Sequence, residues 1–152
     1  MGQLEHPNVA QCFEMHSIAE GITYVRMEAI QGSDLDALLK IHTRFSEDEA
    51  VAIIRGVLKG LSALHARAIV HCGINPSNIM IAKMAPFVKH QDAAYLAPEQ
   101  LLEGKHASTA IDIWAVGILL YHMLSGEFPF EISEKMEDMI HCIHWHALLH
   151  LD

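Results

Sequence analysis

Cysteine is scarce in this sequence. Three cysteines, Cys12, Cys72 and Cys142, stand too far apart for a disulfide framework or a CxxC zinc site, which leaves a reducing setting, cytoplasmic or otherwise intracellular, as the expectation. Positive charge is also short. Ten Lys and Arg against nineteen Asp and Glu give a net charge of -9, and the cations are scattered, so nucleic acid is excluded as an expected partner. Long apolar runs are missing. The longest, Ile113 to Leu120, falls far below the ~20 residues of a bilayer span, so no membrane association is expected and a buried helix is the better reading. The first residues lack a basic region followed by an apolar stretch, and Gly2 has no Ser or Thr at position six. No secretory signal or myristoylation is expected.

What remains is the composition of one folded domain. With 51% hydrophobic and 19% charged residues, the chain can bury a single core, and no repeat or low-complexity linker interrupts it. Val9 to Met15 and Ile22 to Ala29 read as two strands around a turn at Ala19-Glu20-Gly21; together they predict a hairpin. Ser33-Asp34 predicts the cap of a short helix through Lys40, with Leu35, Leu38 and Leu39 on one face. Ser46-Glu47-Asp48-Glu49 has the spacing of a capping box, and Phe45 before it that of a hydrophobic staple. Ala50, Ile54, Val57, Leu61 and Leu64 then recur at steps of four, three, four and three, the stripe of a helix running to about Ala66.

Ile69-Val70 and Ile79 to Ala82 read as short β-type runs flanking a loop in which Pro76 bars a helix. Leu96 to Leu102 predicts a short helix ended by Gly104. Ser108 or Thr109 is placed to cap a helix from Ala110 to about Ser125, apolar nearly all round and therefore expected to be buried on most sides. Gly126 stops it, and Phe128-Pro129-Phe130 forms a turn. Ser133 opens a last helix through roughly His144, with Met136, Met139, Ile140 and Ile143 inward.

Five stretches then follow one another in a telling order: Leu4 to Asn8, Tyr24 to Glu28, His71 to Asn78, Ala97-Pro98-Glu99, and Asp112-Ile113-Trp114-Ala115-Val116-Gly117. In this order they resemble the successive signatures of a eukaryotic protein kinase domain, and the resemblance covers nearly the whole chain. Within that family Leu101 to Phe130 is similar to serine/threonine kinases of the calcium/calmodulin-dependent type. The resemblance implies a mainly α, α+β fold. Residues 1–30 would be a remnant of the kinase N-lobe, carrying the end of its helix, a short β-hairpin and the hinge; residues 31–152 would be an incomplete kinase C-lobe.

Family members transfer a phosphoryl group from ATP with Mg, chemistry that needs positioning and charge neutralisation. The family's His-Arg-Asp-Leu-Lys-Pro-x-Asn loop is matched here by His71-Cys72-Gly73-Ile74-Asn75-Pro76-Ser77-Asn78. By the resemblance, Gly73 stands where the catalytic Asp belongs, Asn75 where the loop Lys belongs, and Cys72 where an arginine would hold an activation-loop phosphate. Neutral Asn75 cannot replace a point charge. Asn78 keeps a residual metal position and could offer one carbonyl oxygen, which holds magnesium poorly without carboxylates; capping of the backbone is its expected use. The stretch from Asn78 to Ala97 is too short for an Asp-Phe-Gly motif plus an activation segment, and its one acid, Asp92, is followed by Ala93-Ala94. The glycine-rich loop and the lysine of the family's earlier strands do not occur in these residues either. No catalytic residue, no metal site and no bound cofactor are therefore expected.

The matching residues that remain are architectural. In the family the loop histidine, here His71, packs into a hydrophobic spine, and the aspartate at the Asp112 position holds the loop backbone. Trp114, Gly117 and Pro98 belong to the same scaffold. Glu99 loses the arginine that is its family partner and is expected to be solvated or paired elsewhere. His141-Cys142-Ile143-His144-Trp145-His146 with His150 invites a zinc reading, but a frayed amphipathic tail explains the same residues. Cys72 has no cation or helix terminus to lower its pKa and reads as an ordinary thiol.

Two functions are consistent with this. The first is a catalytically inactive kinase-like protein, a pseudokinase, acting through protein binding on an active kinase or that kinase's substrate. The second is a fragment or decayed copy of an ATP-dependent serine/threonine kinase with no activity of its own. An active enzyme using atypical residues is the outsider. An apolar face at Ile113, Val116, Leu120 or Leu124 is expected to lie open, which predicts self-association of the isolated chain.

Overall fold

A computed structural model describes residues 4–18, 22–82, 93–101, 107–133, 138 and 140. Strands β1 (Cys12–Ile18) and β2 (Ile22–Met27) pair antiparallel. The expected hairpin is present, but its first strand begins at Cys12, because Val9 pairs instead with His6 in an isolated bridge. The turn at 19–21 lies outside the described residues. The hairpin carries its apolar side chains in the open: Met15, Ile22 and Met27 are all exposed. Glu14 and Arg26, register partners across the two strands, meet in an ion pair at 2.5 Å. The carboxylate is held below its usual range, chiefly by the hydrogen bond from Arg26.

A second pair of strands was not legible on one of its sides. Strand β3 (Gly32–Asp34) runs antiparallel to β4 (Met80–Ala82), so Ser33 sits in a strand and Asp34 alone caps α1 (Leu35–His42). Asp34 Oδ1 accepts from the amide of Ala37 at 2.7 Å, the expected use of an N-cap carboxylate. Ile69 and Val70 belong to no strand. They lie on the turn out of α2, where the amide of Ile69 bonds back to the carbonyl of Leu64.

Helix α2 (Glu47–His65) opens on the full capping box at Ser46 and Glu49. Its stripe meets the core as expected: Ala50, Ile54 and Leu61 are buried, and Val57 and Leu64 pack against the same cluster. Helix α4 (Thr109–Ser125) lies against α2 and contributes Ile111, Val116, Leu119 and Met123 to the buried set. Ser108 occupies its N-cap position without a side-chain hydrogen bond, and Gly126, at φ 79, ends it in the left-handed conformation. Burial of α4 is less complete than its composition predicts. Ile113, Tyr121 and Leu124 are exposed, while Val116 is buried and Leu120 half-buried, so the open face is narrower than expected. The short helix α3 spans Pro98–Leu101. Of the last expected helix, Asp138 and Ile140 are helical, and Ile140 packs on the core; Gly104, Met136, Met139, Ile143 and the histidines from His141 onward lie outside the described residues.

The first described residues are tied to α2 by glycine. A Cβ on Gly60 would come within 2.6 Å of the carbonyl oxygen of Asn8, and one on Gly56 within 3.3 Å of its side-chain nitrogen. Only a helix bare of side chains there lets the His6-Pro7-Asn8 segment lie so close.

Candidate functional site

The loop from Val70 to Asn78 hangs on one buried carboxylate. Asp112, in the first turn of α4, is 1% exposed. Its Oδ2 accepts from the amide of His71 at 2.9 Å and meets His65 Nε2 at 2.8 Å, and its Oδ1 accepts from the amide of Cys72 at 2.9 Å. A buried carboxylate needs such donors, and the end of α2 and the loop that follows it, 40 to 47 residues earlier in the chain, supply them. Cys72 has φ 59, a region that side-chain-bearing residues adopt at a cost; the bonded amides on either side of the turn hold it there.

His71 lies at the start of that turn. The resemblance implied a histidine packed into a hydrophobic spine, but part of the residue is open to solvent, while its ring folds onto the loop and its Nδ1 accepts from the amide of Gly73 at 3.2 Å. The compact bend between His71 and Gly73 turns the imidazole back on its own loop. Desolvation of the ring holds its pKa below the ordinary histidine value, outweighing the pull of Asp112 in the other direction. The Cys72 thiol is pushed up by burial and then by the charge of Asp112, so it stays a thiol, in keeping with an ordinary cysteine.

Beyond Gly73 the loop forms a single 3-10 turn at Pro76–Asn78. Pro76 bars an α-helix, as its missing N–H requires, yet it suits the first position of this turn. Asn75 is its cap. The residue is buried, and its Oδ1 accepts from the Asn78 amide at 3.1 Å and from Ser77 Oγ at 2.8 Å. Asn78 reaches back with Nδ2 to the carbonyl of Gly73 at 2.8 Å. The side chains at the lysine position and the metal position are thus both bonded within the loop.

Gly73 itself is not dictated by space. A Cβ there would stand 3.6 Å from Asn78 Nδ2 and 3.8 Å from His71 Nδ1, ordinary contact distances. A Cβ would fit, so the backbone there does not itself demand glycine. The residues present fit Mg poorly, because the position that the resemblance gives to the general base has no side chain and Asn78, with its Nδ2 on the Gly73 carbonyl, has only one neutral carbonyl oxygen to offer. No three His, Cys, Asp or Glu side chains converge as a metal site among the described residues. The zinc reading of residues 141–150 lies outside them.

The other scaffold positions fall apart from the loop. Pro98 opens α3 and Glu99, half-buried beside it, has no ion pair among the described residues. Trp114 packs against the core with its Nε1 buried and without a hydrogen-bond partner among the described residues. Gly117 lies exposed on α4 with open space where a Cβ would stand. Sequence reasoning missed the pairing of His65 with Asp112, which no local pattern announces across the fold. It also missed Asn75 as a cap. That was readable, since Asn followed three residues later by Asn, with Pro between, is the spacing of an Asx-capped turn. Among the described residues no helix is long and apolar enough to cross a membrane.

The family model for the protein kinase domain matches this chain in two stretches, residues 1–92 and 88–150. Serine/threonine-protein kinase dkf-2 of Caenorhabditis briggsae is 32% identical over 91% of the chain, and human serine/threonine-protein kinases D3 and D2 are 32% and 33% identical over 90% of it. The chain spans 13% of the length of the first and 18% of the other two. The match runs through the hairpin, the loop held by Asp112 and helix α4 alike, and this chain belongs to the protein kinase domain family, related to its serine/threonine kinases.

Proposed function

We propose that this chain is a catalytically inactive member of its family that acts inside the cell by binding another protein, either an active kinase or that kinase's substrate. One observation carries the reading. The loop keeps its anchorage to Asp112, while Gly73 stands where the proton acceptor belongs and Asn75 and Asn78 are bonded within the loop. Phosphoryl transfer needs a positioned base, a phosphate-neutralising cation and a metal carboxylate. The loop offers none of these. A folded scaffold without them retains its surfaces, and surfaces bind.

A thermal melt of the purified chain with and without millimolar Mg-ATP tests the inactive part. A ligand that binds only the folded state raises the midpoint by mass action. An unmoved, cooperative melt is expected; a nucleotide-dependent rise would mean that a nucleotide pocket survives, and phosphate transfer by the purified chain would overturn the claim of inactivity. A native pull-down that recovers no partner would count against the binding part.

A second reading has its own observation. The family model matches in two separate stretches that overlap at residues 88–92, which favours a chain shortened between Asn78 and Ala97, a fragment or decayed copy with no activity of its own. A longer transcript that restores an Asp-Phe-Gly motif there would support it, and the same melt would then lose its cooperativity for the present chain.

A further inference from the structure

Helices α2 and α4 leave an open groove of about 400 Å³ between them, floored by Val51, Ile54, Leu58 and Leu120 and bordered by Arg55 and Lys59. Val51 and Leu58 are each 41% exposed, so this apolar floor is in contact with water. The border is unusual for this molecule. The chain carries a net charge of -9, yet its groove presents two cations one helical turn apart. Among the described residues neither Arg55 nor Lys59 has an ion pair or a side-chain hydrogen bond. Like charges at this spacing repel, and no acidic partner for them is found among the described residues. The acids of α2, Glu47, Asp48 and Glu49, sit in its first turn.

We propose that this groove docks an acidic amphipathic helix of a partner protein, an assignment that rests on the protein-binding reading above. The chemistry follows from the surface. An apolar stripe laid between two helices is covered most completely by a third, whose apolar positions repeat at i, i+3, i+4 and i+7. The floor follows α2 from Val51 to Ser62, about 16 Å at the rise of an α-helix, so about three turns of partner would cover it. Carboxylates on the flank of that helix would pair with Arg55 and Lys59.

The test uses the whole chain and a labelled helical peptide with leucines at i, i+3, i+4 and i+7 and glutamates along one flank. Fluorescence anisotropy should show saturable binding that weakens with salt. An Arg55→Glu/Lys59→Glu double variant, at two exposed positions, should bind at least about tenfold more weakly. A companion peptide with lysines for the glutamates should reverse that preference. Leu58→Asp should weaken both peptides on both backgrounds. No binding, or binding indifferent to the charge reversal, overturns the groove; so does a homodimer that the double variant abolishes, since the occupant would then be a second copy. A native pull-down separates the two claims. A partner retained equally by the parent chain and the double variant leaves protein binding standing and the groove fallen. Peptide binding with the expected charge reversal, but no partner from any extract, leaves the groove standing and the functional reading fallen.

Discussion

Asn78 donates from Nδ2 to the carbonyl oxygen of Gly73 at 2.8 Å. The side chain that the resemblance puts at a residual metal position is therefore bonded to the backbone of the residue that it puts in place of the catalytic carboxylate. Removing that side chain should be a stability event and nothing else. Asn78→Ala should cost about 1 kcal/mol, the net value of a neutral hydrogen bond, read as a lower midpoint in urea. Magnesium should leave the melts of both proteins unmoved. A magnesium-dependent midpoint that vanishes in the variant would mean that Asn78 holds metal.

Asp112 bears more. Its oxygens accept two backbone amides and meet His65, all at a site closed to water. Asp112→Ala strands both amides and lets the strained turn at Cys72 relax. A loss of about 3 kcal/mol is expected from denaturant unfolding, in line with bonds to a buried charged group. A loss under about 1 kcal/mol would show that the loop is held by something else.

Acid should loosen the same loop through His71. Its folded-state pKa lies below the ordinary value because desolvation outweighs the attraction of Asp112. A base whose pKa is lowered on folding binds fewer protons folded than unfolded, so stability rises with pH there. The contribution is complete above the ordinary histidine value, near 6.5, and is lost as pH falls through that value towards the folded one. Protonation also removes the lone pair that accepts from the Gly73 amide. His71→Asn should flatten this part of the pH–stability curve, as measured by chemical denaturation across the acid range. An unchanged slope would place the titration on another group.

How much of this was legible in the sequence depends on the range of the forces involved. The capping box at Ser46 and Glu49 and the stripe from Ala50 to Leu64 are local, set by spacing along one helix, and the structure follows them. The end of α4 at Gly126 is equally local. Strand β3 was invisible because three residues, Gly32–Asp34, are too short for a period and exist as a strand only by pairing with β4. The exposure of His71 was not readable, because which side chains cover a loop residue is set by long-range packing that no local pattern encodes. For the site, what the loop lacks was readable residue by residue; what its substitutes do was not, since the roles of Asn75 and Asn78 depend on bonds that form only when the turn closes.

The two glycines that matter most should respond to alanine in opposite ways. At Gly60 a Cβ would meet the Asn8 carbonyl oxygen at 2.6 Å, a distance that real Cβ atoms do not occupy, and the obstacle is backbone. The helix gains propensity from alanine, about 1 kcal/mol, but the N-terminal segment must move off α2. At Gly73 the new methyl finds only ordinary contacts, at 3.6 Å and beyond, and removing glycine lowers the entropy of the unfolded chain by an amount equivalent to about 0.4–1 kcal/mol. Gly73→Ala should therefore raise the midpoint of thermal unfolding, while Gly60→Ala should lower it and increase proteolysis ahead of β1. A stable Gly60→Ala would mean that the His6-Pro7-Asn8 segment does not rest on α2. An unstable Gly73→Ala would mean that the loop needs glycine for its conformation. Its absent carboxylate would then have a structural cause, where the space around Gly73 supplies none.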